Sequence, residues 1–222
     1  MYLAGGGRLS FDPPTRGARE AIRAWTSDPA SPVPYQVRPV PAPNLAAREA
    51  GDAWPIWMVA DQRFVHGRPD VLSWQTGPLA EDVVLSGSIA AHLFVSTTGT
   101  DADLVAKLID VQPEEVEGDP TLGGAQIMVA AEILRGRFRK GFEKPVPFTP
   151  GKVEEATIDL LTRNHVFRKG HRIMVQVQSS WFPLYDRNPQ TFVSSIFQAK
   201  EEDFRARTHR IHASSRHPSR IT

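Results

Sequence analysis

The thirteen residues Val83–Val95 constrain the fold more than any other stretch of the chain. Val83, Leu85, Ile89, Ala91, Leu93 and Val95 hold the odd positions, and Ser86, Ser88 and His92 stand among the even ones, with Val84 and Phe94 as apolar exceptions. Apolar residues at a period of two belong to a β-strand with one face turned to a core. Gly87 interrupts the odd series and permits a bulge or bend in so long a strand. Weaker versions of this signal recur. Tyr2–Ser10 reads as a hairpin around Gly5, Gly6 and Gly7, and Ala21–Thr26, Asp70–Gln75 and Val153–Leu160 read as strands. Leu104–Val111 is apolar on both faces, as a central strand is. Thr191–Phe197 and His209–His212 are expected as the last strands, with a short helix over Lys200–Arg207 between them.

The connections contribute their own constraints. Ser27–Pro43 carries Pro29, Pro32, Pro34, Pro39, Pro41 and Pro43, which forbid a ladder or a helix interior. Tyr35 and Val37 within it, and Trp54 and Trp57 beyond it, imply that it packs on the domain. Asn44–Ala50 is read as one or two helical turns capped by Asn44. In Gln126–Lys140 the apolar residues shift from Ile127, Val129, Ala131 and Ile133 to Leu134 and Phe138, which predicts a parity switch near Ile133–Gly136. Asn164–Gly170 is expected to turn into the next strand. About eight to ten strands with turns every 8–15 residues or so, and almost no helix, describe an all-β antiparallel β-sandwich, a jelly roll. At 222 residues and 41% hydrophobic the chain has enough core for that.

His171–Pro189 leads from a strand into an aromatic loop. Ile173, Val175 and Val177 alternate with Met174, Gln176 and Gln178, and Trp181–Tyr185 then follows with Pro183 inside it and no period. An apolar loop needs a cover. The loop is therefore expected to dock on another protein surface, leaving the chain prone to self-associate or to bind a partner in trans; the alternative is that it folds inward and completes its own core. Trp54, Trp57, Trp181, Phe182, Tyr185, Asp186 and Arg187 are the candidates for a substrate cleft or interface. Asp186-Arg187-Asn188-Pro189 reads either as a polar rim or as a turn in which Asp186 accepts backbone N–H bonds.

The chemistry-bearing patterns are sparse. No G-x-S-x-G elbow occurs, and Ser86-Gly87-Ser88 lies inside a strand. No phosphate-binding glycine loop and no helical metal-ligand pair is present, so no cofactor and no metal are expected. His209 and His212 are three apart on a strand, where their side chains face opposite ways. His92 reads as a hydrogen-bonded sheet residue and His66 as a loop residue beside Asp61, Arg63, Arg68 and Asp70, which can pair locally. Arg135, Arg137 and Arg139 read as a solvated strand face or as partners of nearby acids. A net charge of +1 gives no bias toward nucleic acid or membrane lipid. No run of about 18 apolar residues crosses a membrane. The first residues form no signal peptide, and the lack of cysteine leaves the compartment open.

The segments DPASPVPYQVRP, DQRFVHGRPDVLSWQTGPLAEDVVLSGSIAAHLFVSTTGTDADLVAKLIDVQP, RGRFRKGFEKPVPFTPGKV and GHRIMVQVQSSWFPLYDRNPQTF, in this order, resemble the C-terminal domain of the α-amino acid ester hydrolases, which group with the cocaine esterases and X-prolyl dipeptidyl-peptidases among the serine hydrolases. The likeness runs from about Tyr2 to Ile221. It implies a galactose-binding-like jelly roll that follows an α/β-hydrolase domain, with its Ser-His-Asp triad, and a helical cap. It implies a single domain over 1–222, resembling the last third of such an enzyme, whose role is to buttress the catalytic domain and help wall its cleft. The family's triad and the acidic cluster that recognises the substrate's amino group precede the matched region, so no residue here inherits those roles. The alternative is a free-standing jelly roll that binds carbohydrate or another ligand through aromatic stacking.

Overall fold

The computed structural model describes residues 1–37 and 54–222, with the side chains of residues 54–56 outside that description. The expected helical turn at Asn44–Ala50 therefore lies outside the described residues. Among the described residues the regular structure consists of strands and short 3-10 turns. The strands are β1 (Tyr2–Ala4), β2 (Arg8–Ser10), β3 (Ala21–Ser27), β4 (Leu72–Gln75), β5 (Val83–Thr97), β6 (Asp103–Val111), β7 (Gln126–Arg135), β8 (Glu154–Phe167), β9 (Arg172–Gln178), β10 (Arg207–Ala213) and β11 (Arg220–Ile221).

Their ladder runs β3-β10-β5-β11-β1-β2-β4-β9-β6-β7, and β8 lies on the other edge of β5. All neighbours are antiparallel except β2 and β4. The short β11, β1 and β2 form the passage between two larger groups of strands. Ile89, Ala91, Leu93 and Val95 of β5, with Ala156, Ile158 and Leu160 of β8, share one buried cluster with Leu104, Ala106 and Leu108 of β6 and Ile173, Val175 and Val177 of β9. Two groups of strands thus turn their apolar faces toward each other, which makes the domain a β-sandwich.

The period-two reading of β5 holds in detail. Ile89, Ala91, Leu93 and Val95 are buried, while Val84 on the opposite face is 71% exposed. The irregularity that Gly87 permits falls just beyond it, between Ser88 and Ala90, opposite Leu161 at a φ of 65°. β6 is buried along its whole length between β7 and β9, as a central strand.

Four expectations are corrected. The parity switch in β7 lies at Val129, where Leu108 pairs with Ala130 and Ile109 with Met128, and not at Ile133–Gly136. The strand runs regularly to Arg135 and then leaves the sheet in a 3-10 turn, Gly136–Phe138. The apolar pattern misleads because both faces are covered: Ala130 and Leu134 enter the main core, and Met128, Ala131 and Ile133 pack in a second cluster. β8 continues through the polar Asn164 and His165 to Phe167, because the first half of β5 supplies a partner for it. Thr191–Phe197 forms no strand; Phe192 N–H is instead held by Thr100 Oγ1 at 2.8 Å. The helix expected over Lys200–Arg207 is a single 3-10 turn, Glu201–Asp203, and Arg207 already belongs to β10.

Candidate functional site

The polar face of β9 is not solvated. Gln176 and Gln178 are as fully buried as Ile173 and Val175. The cover is the irregular chain itself. Phe182 N–H donates to the Val33 carbonyl and Tyr35 N–H to the Phe182 carbonyl, each at 3.0 Å, and Val33 N–H donates to Ser180 Oγ at 2.8 Å. The proline-rich segment is thereby tied to the aromatic loop. This satisfies backbone groups that the prolines leave without a ladder.

Beneath these loops Tyr35, Val105, Met128 and Trp181 form a second core, with Trp57, Ala131, Ile133 and Leu184 packed on it. The Trp57 ring meets Tyr35 edge-on at 5.5 Å and Trp181 edge-on at 5.6 Å, and Tyr185 stacks on Trp181 at 6.1 Å. Trp181 is only 4% exposed. The expectation of an uncovered cluster at Trp181 is corrected: Trp181 takes the inward alternative, because Tyr35 and Trp57 cover it. Phe182 is half-buried, and Pro183, Tyr185, Asp186 and Arg187 remain exposed. The side chain of Trp54 lies outside the described residues.

Lys107 of β6 is the unexpected member of this region. It is 0% exposed, donates from Nζ to Gln62 Oε1 at 2.8 Å and lies 5.4 Å from the centroid of the Trp181 ring. Burial pulls its ammonium down from 10.5 to about 7. In the sequence it sits in an apolar strand, and only the loop cover makes it buried.

The rim of the loop is held by charge. Asn188 Nδ2 donates to Asp103 Oδ1 at 2.7 Å, and Asn188 Oδ1 accepts from Gln190 N–H at 2.6 Å. Asn188, rather than the Asp186 carboxylate, ties the turn. Arg135 pairs with Asp103 at 3.3 Å, Arg137 with Asp101 at 2.7 Å and Arg139 with Glu154 at 2.9 Å, so the arginines serve as partners of acids. Burial raises the Asp103 carboxyl to about 6 against the opposing pull of Arg135. Arg187 Nη1 donates to the Pro29 carbonyl at 2.9 Å and its guanidinium lies 5.3 Å from the Phe204 ring. Trp57, Trp181, Phe182, Tyr185 and Arg187 therefore belong to one continuous region on the outer face of β9, β6 and β7.

The histidines divide as the strand geometry requires. His209 is buried with Nε2 at 2.6 Å from Gln190 Oε1, and burial lowers it to about 4, whereas His212 turns to Ser96 at 2.9 Å. His92 bonds Thr157 Oγ1 at 3.3 Å in the sheet, and His66 is exposed beside the Asp61–Arg63 and Arg68–Asp70 pairs.

Residues 4–222 match the family described as the X-Pro dipeptidyl-peptidase C-terminal non-catalytic domain. The chain belongs to that family. It is 38% identical over 217 residues to the cocaine esterase of Rhodococcus sp. (strain MB1 Bresler), covering 98% of this chain and 34% of that protein. A solved α-amino acid ester hydrolase superposes with a TM-score of 0.92 at 49% identity, over 99% of this chain and 35% of the other. A solved aminopeptidase from a marine sediment archaeon, Thaumarchaeota archaeon, gives 0.91 at 48% identity, over 99% and 35%. The chain thus spans about a third of the length of these relatives. The resemblance carried by its four sequence segments, and the β-sandwich it implies, are both found.

Proposed function

We propose that the chain works as the C-terminal, non-catalytic β-sandwich of a serine ester hydrolase or acylase of the α-amino acid ester hydrolase or X-Pro dipeptidyl-peptidase type. It packs on an α/β-hydrolase domain, in cis or in trans, and helps wall the substrate cleft. The observation that carries this is the coverage: 99% of this chain aligns with only 35% of an α-amino acid ester hydrolase. In this reading the exposed edge from Pro183 to Arg187 faces the cleft. Trp57 and Trp181 lie behind it as a rigid support. An aromatic pair locked by packing holds a loop more firmly than a solvated one does. Stacking on a sugar ring is disfavoured, because the face of Trp181 is already taken by Tyr185.

The test is complementation. An α-amino acid ester hydrolase shortened to its remaining two thirds is assayed for ester turnover with and without this chain. Recovery of turnover that saturates with added chain supports the proposal. Unchanged turnover together with no binding contradicts it.

A further inference from the structure

The start of β3 and the turn after β10 bring together three ligand-type side chains from opposite ends of the sequence. Glu20 precedes β3, His212 lies in β10, and His217 stands in the turn that follows. One ligand atom from each lies within 4.8 Å of the others. His217 Nδ1 is 2.6 Å from Glu20 Oε1, and His212 Nδ1 is 3.5 Å from Glu20 Oε2.

We propose that Glu20, His212 and His217 form a zinc-binding site. Two imidazoles and a carboxylate are a donor set that suits Zn2+. Metal–ligand bonds of about 2.0–2.2 Å in a tetrahedron set neighbouring ligand atoms about 3.3–3.5 Å apart. The 3.5 Å between His212 Nδ1 and Glu20 Oε2 is long for a hydrogen bond and right for two ligands of one ion. His212 Nδ1 is buried, and its contact with Glu20 Oε2 at 3.5 Å is too long for a good hydrogen bond. A buried nitrogen held only by so long a contact leaves room for a closer ligand. His217 Nδ1 and Glu20 Oε1 are closer than two zinc ligands sit, and zinc replaces the proton between them. Opening that contact takes a shift of about 0.7 Å toward the tetrahedral spacing in a Glu20 side chain that is 32% exposed.

The surroundings orient the ligands. Ser96 Oγ lies 2.9 Å from His212 Nε2 and is buried, so when that nitrogen carries the proton Nδ1 is left with a free lone pair. Phe94 packs on the His217 ring at 5.5 Å. Ser214 Oγ donates to Glu20 Oε1 at 3.2 Å and accepts from His217 N–H at 3.0 Å. At a second carboxylate, His165 and His171 each hold an oxygen of Asp110 at 2.9 and 2.8 Å. There both facing nitrogens are engaged, whereas at Glu20 only His217 is held at hydrogen-bond distance and His212 stands at 3.5 Å. The bound ion would tie the segment before β3 to the turn after β10.

The test is titration of the chelator-treated chain with ZnCl2 in a calorimeter, with thermal unfolding in parallel. We expect one equivalent bound with a Kd of about 1 µM or below, and an unfolding midpoint that rises with zinc concentration. Glu20→Gln and His217→Ala, both at partly exposed positions, should each abolish the one-to-one isotherm while circular dichroism stays that of the parent. Ser96→Ala should weaken binding about 10-fold or more through loss of orientation. His66→Ala and His92→Ala should change nothing. Absence of saturable binding at about 100 µM zinc would overturn the proposal. So would an isotherm that survives Glu20→Gln and His217→Ala, or one that is lost with His66→Ala or His92→Ala.

Discussion

Replacing Lys107 with methionine separates the cost of a buried amine from the benefit of its contacts. Lys107 is 0% exposed, with Gln62 Oε1 at 2.8 Å and an aromatic face at 5.4 Å. Its pKa falls from 10.5 to about 7 on folding, by desolvation. The unfolded chain therefore binds the proton more tightly than the folded one. Between pH 7 and 10.5 the unfolded state holds more protons, so stability rises with pH across that window. Below about pH 7 both states are charged and the full penalty is present; above 10.5 both are neutral and it vanishes. Each pH unit is worth about 1.4 kcal/mol, which sets an upper limit of about 5 kcal/mol for the whole window. Relaxation around a buried charge lowers that, and about 2–4 kcal/mol is the expected span. Lys107→Met removes the titration but leaves Gln62 Oε1 unpaired, at a cost of about 1–3 kcal/mol. The variant should therefore match or exceed the parent near pH 7 and fall below it near pH 10. Urea unfolding of both proteins from pH 6 to pH 10 measures this, and the difference between them cancels the other titrating groups. Parallel stability curves would refute the reasoning.

Trp181→Ala should cost about 3–5 kcal/mol in urea unfolding, as loss of a buried aromatic does; a loss below about 1 kcal/mol would return Trp181 to the surface role. Gly136→Ala should destabilise by about 1–3 kcal/mol, because a Cβ there would stand 2.5 Å from the Ala102 carbonyl oxygen and from the Phe148 ring; an unchanged unfolding midpoint contradicts that packing. The chain alone should show no saturable turnover of p-nitrophenyl esters. Turnover that survives repurification and is lost to a serine-directed inhibitor would contradict the non-catalytic reading.

The legible parts of the fold are those where a single face is buried. β5 shows this, since Ile89 to Val95 alternate between core and surface. β6 was legible as central because both faces are apolar, yet Lys107 at its midpoint carried no signal of its burial. β7 and β9 are harder to read because a loop layer covers their second face, so that Gln176 and Met128 are buried beside residues of the main core. The aromatic loop shows the same limit. Its composition announces an apolar cover, and only Tyr35 and Trp57, folded over from far upstream, decide that Trp181 is the thing covered. Spacing argued that His209 and His212 face opposite ways, and they turn to Gln190 and to Ser96 respectively. It could not bring His217 to Glu20, 197 residues away, because that meeting depends on β10 pairing with β3.

Direct binding to a catalytic domain tests the central claim most sharply. This chain is mixed with the portion of an α-amino acid ester hydrolase that lacks its own C-terminal third, and the mixture is followed by sedimentation velocity. A domain interface of standard size, about 1,600 Å² in all, supports tight association. The account predicts a one-to-one complex with a Kd of about 1 µM or below, weakened when Tyr185 and Arg187 are both replaced by alanine. Two species that sediment independently at about 100 µM would contradict it.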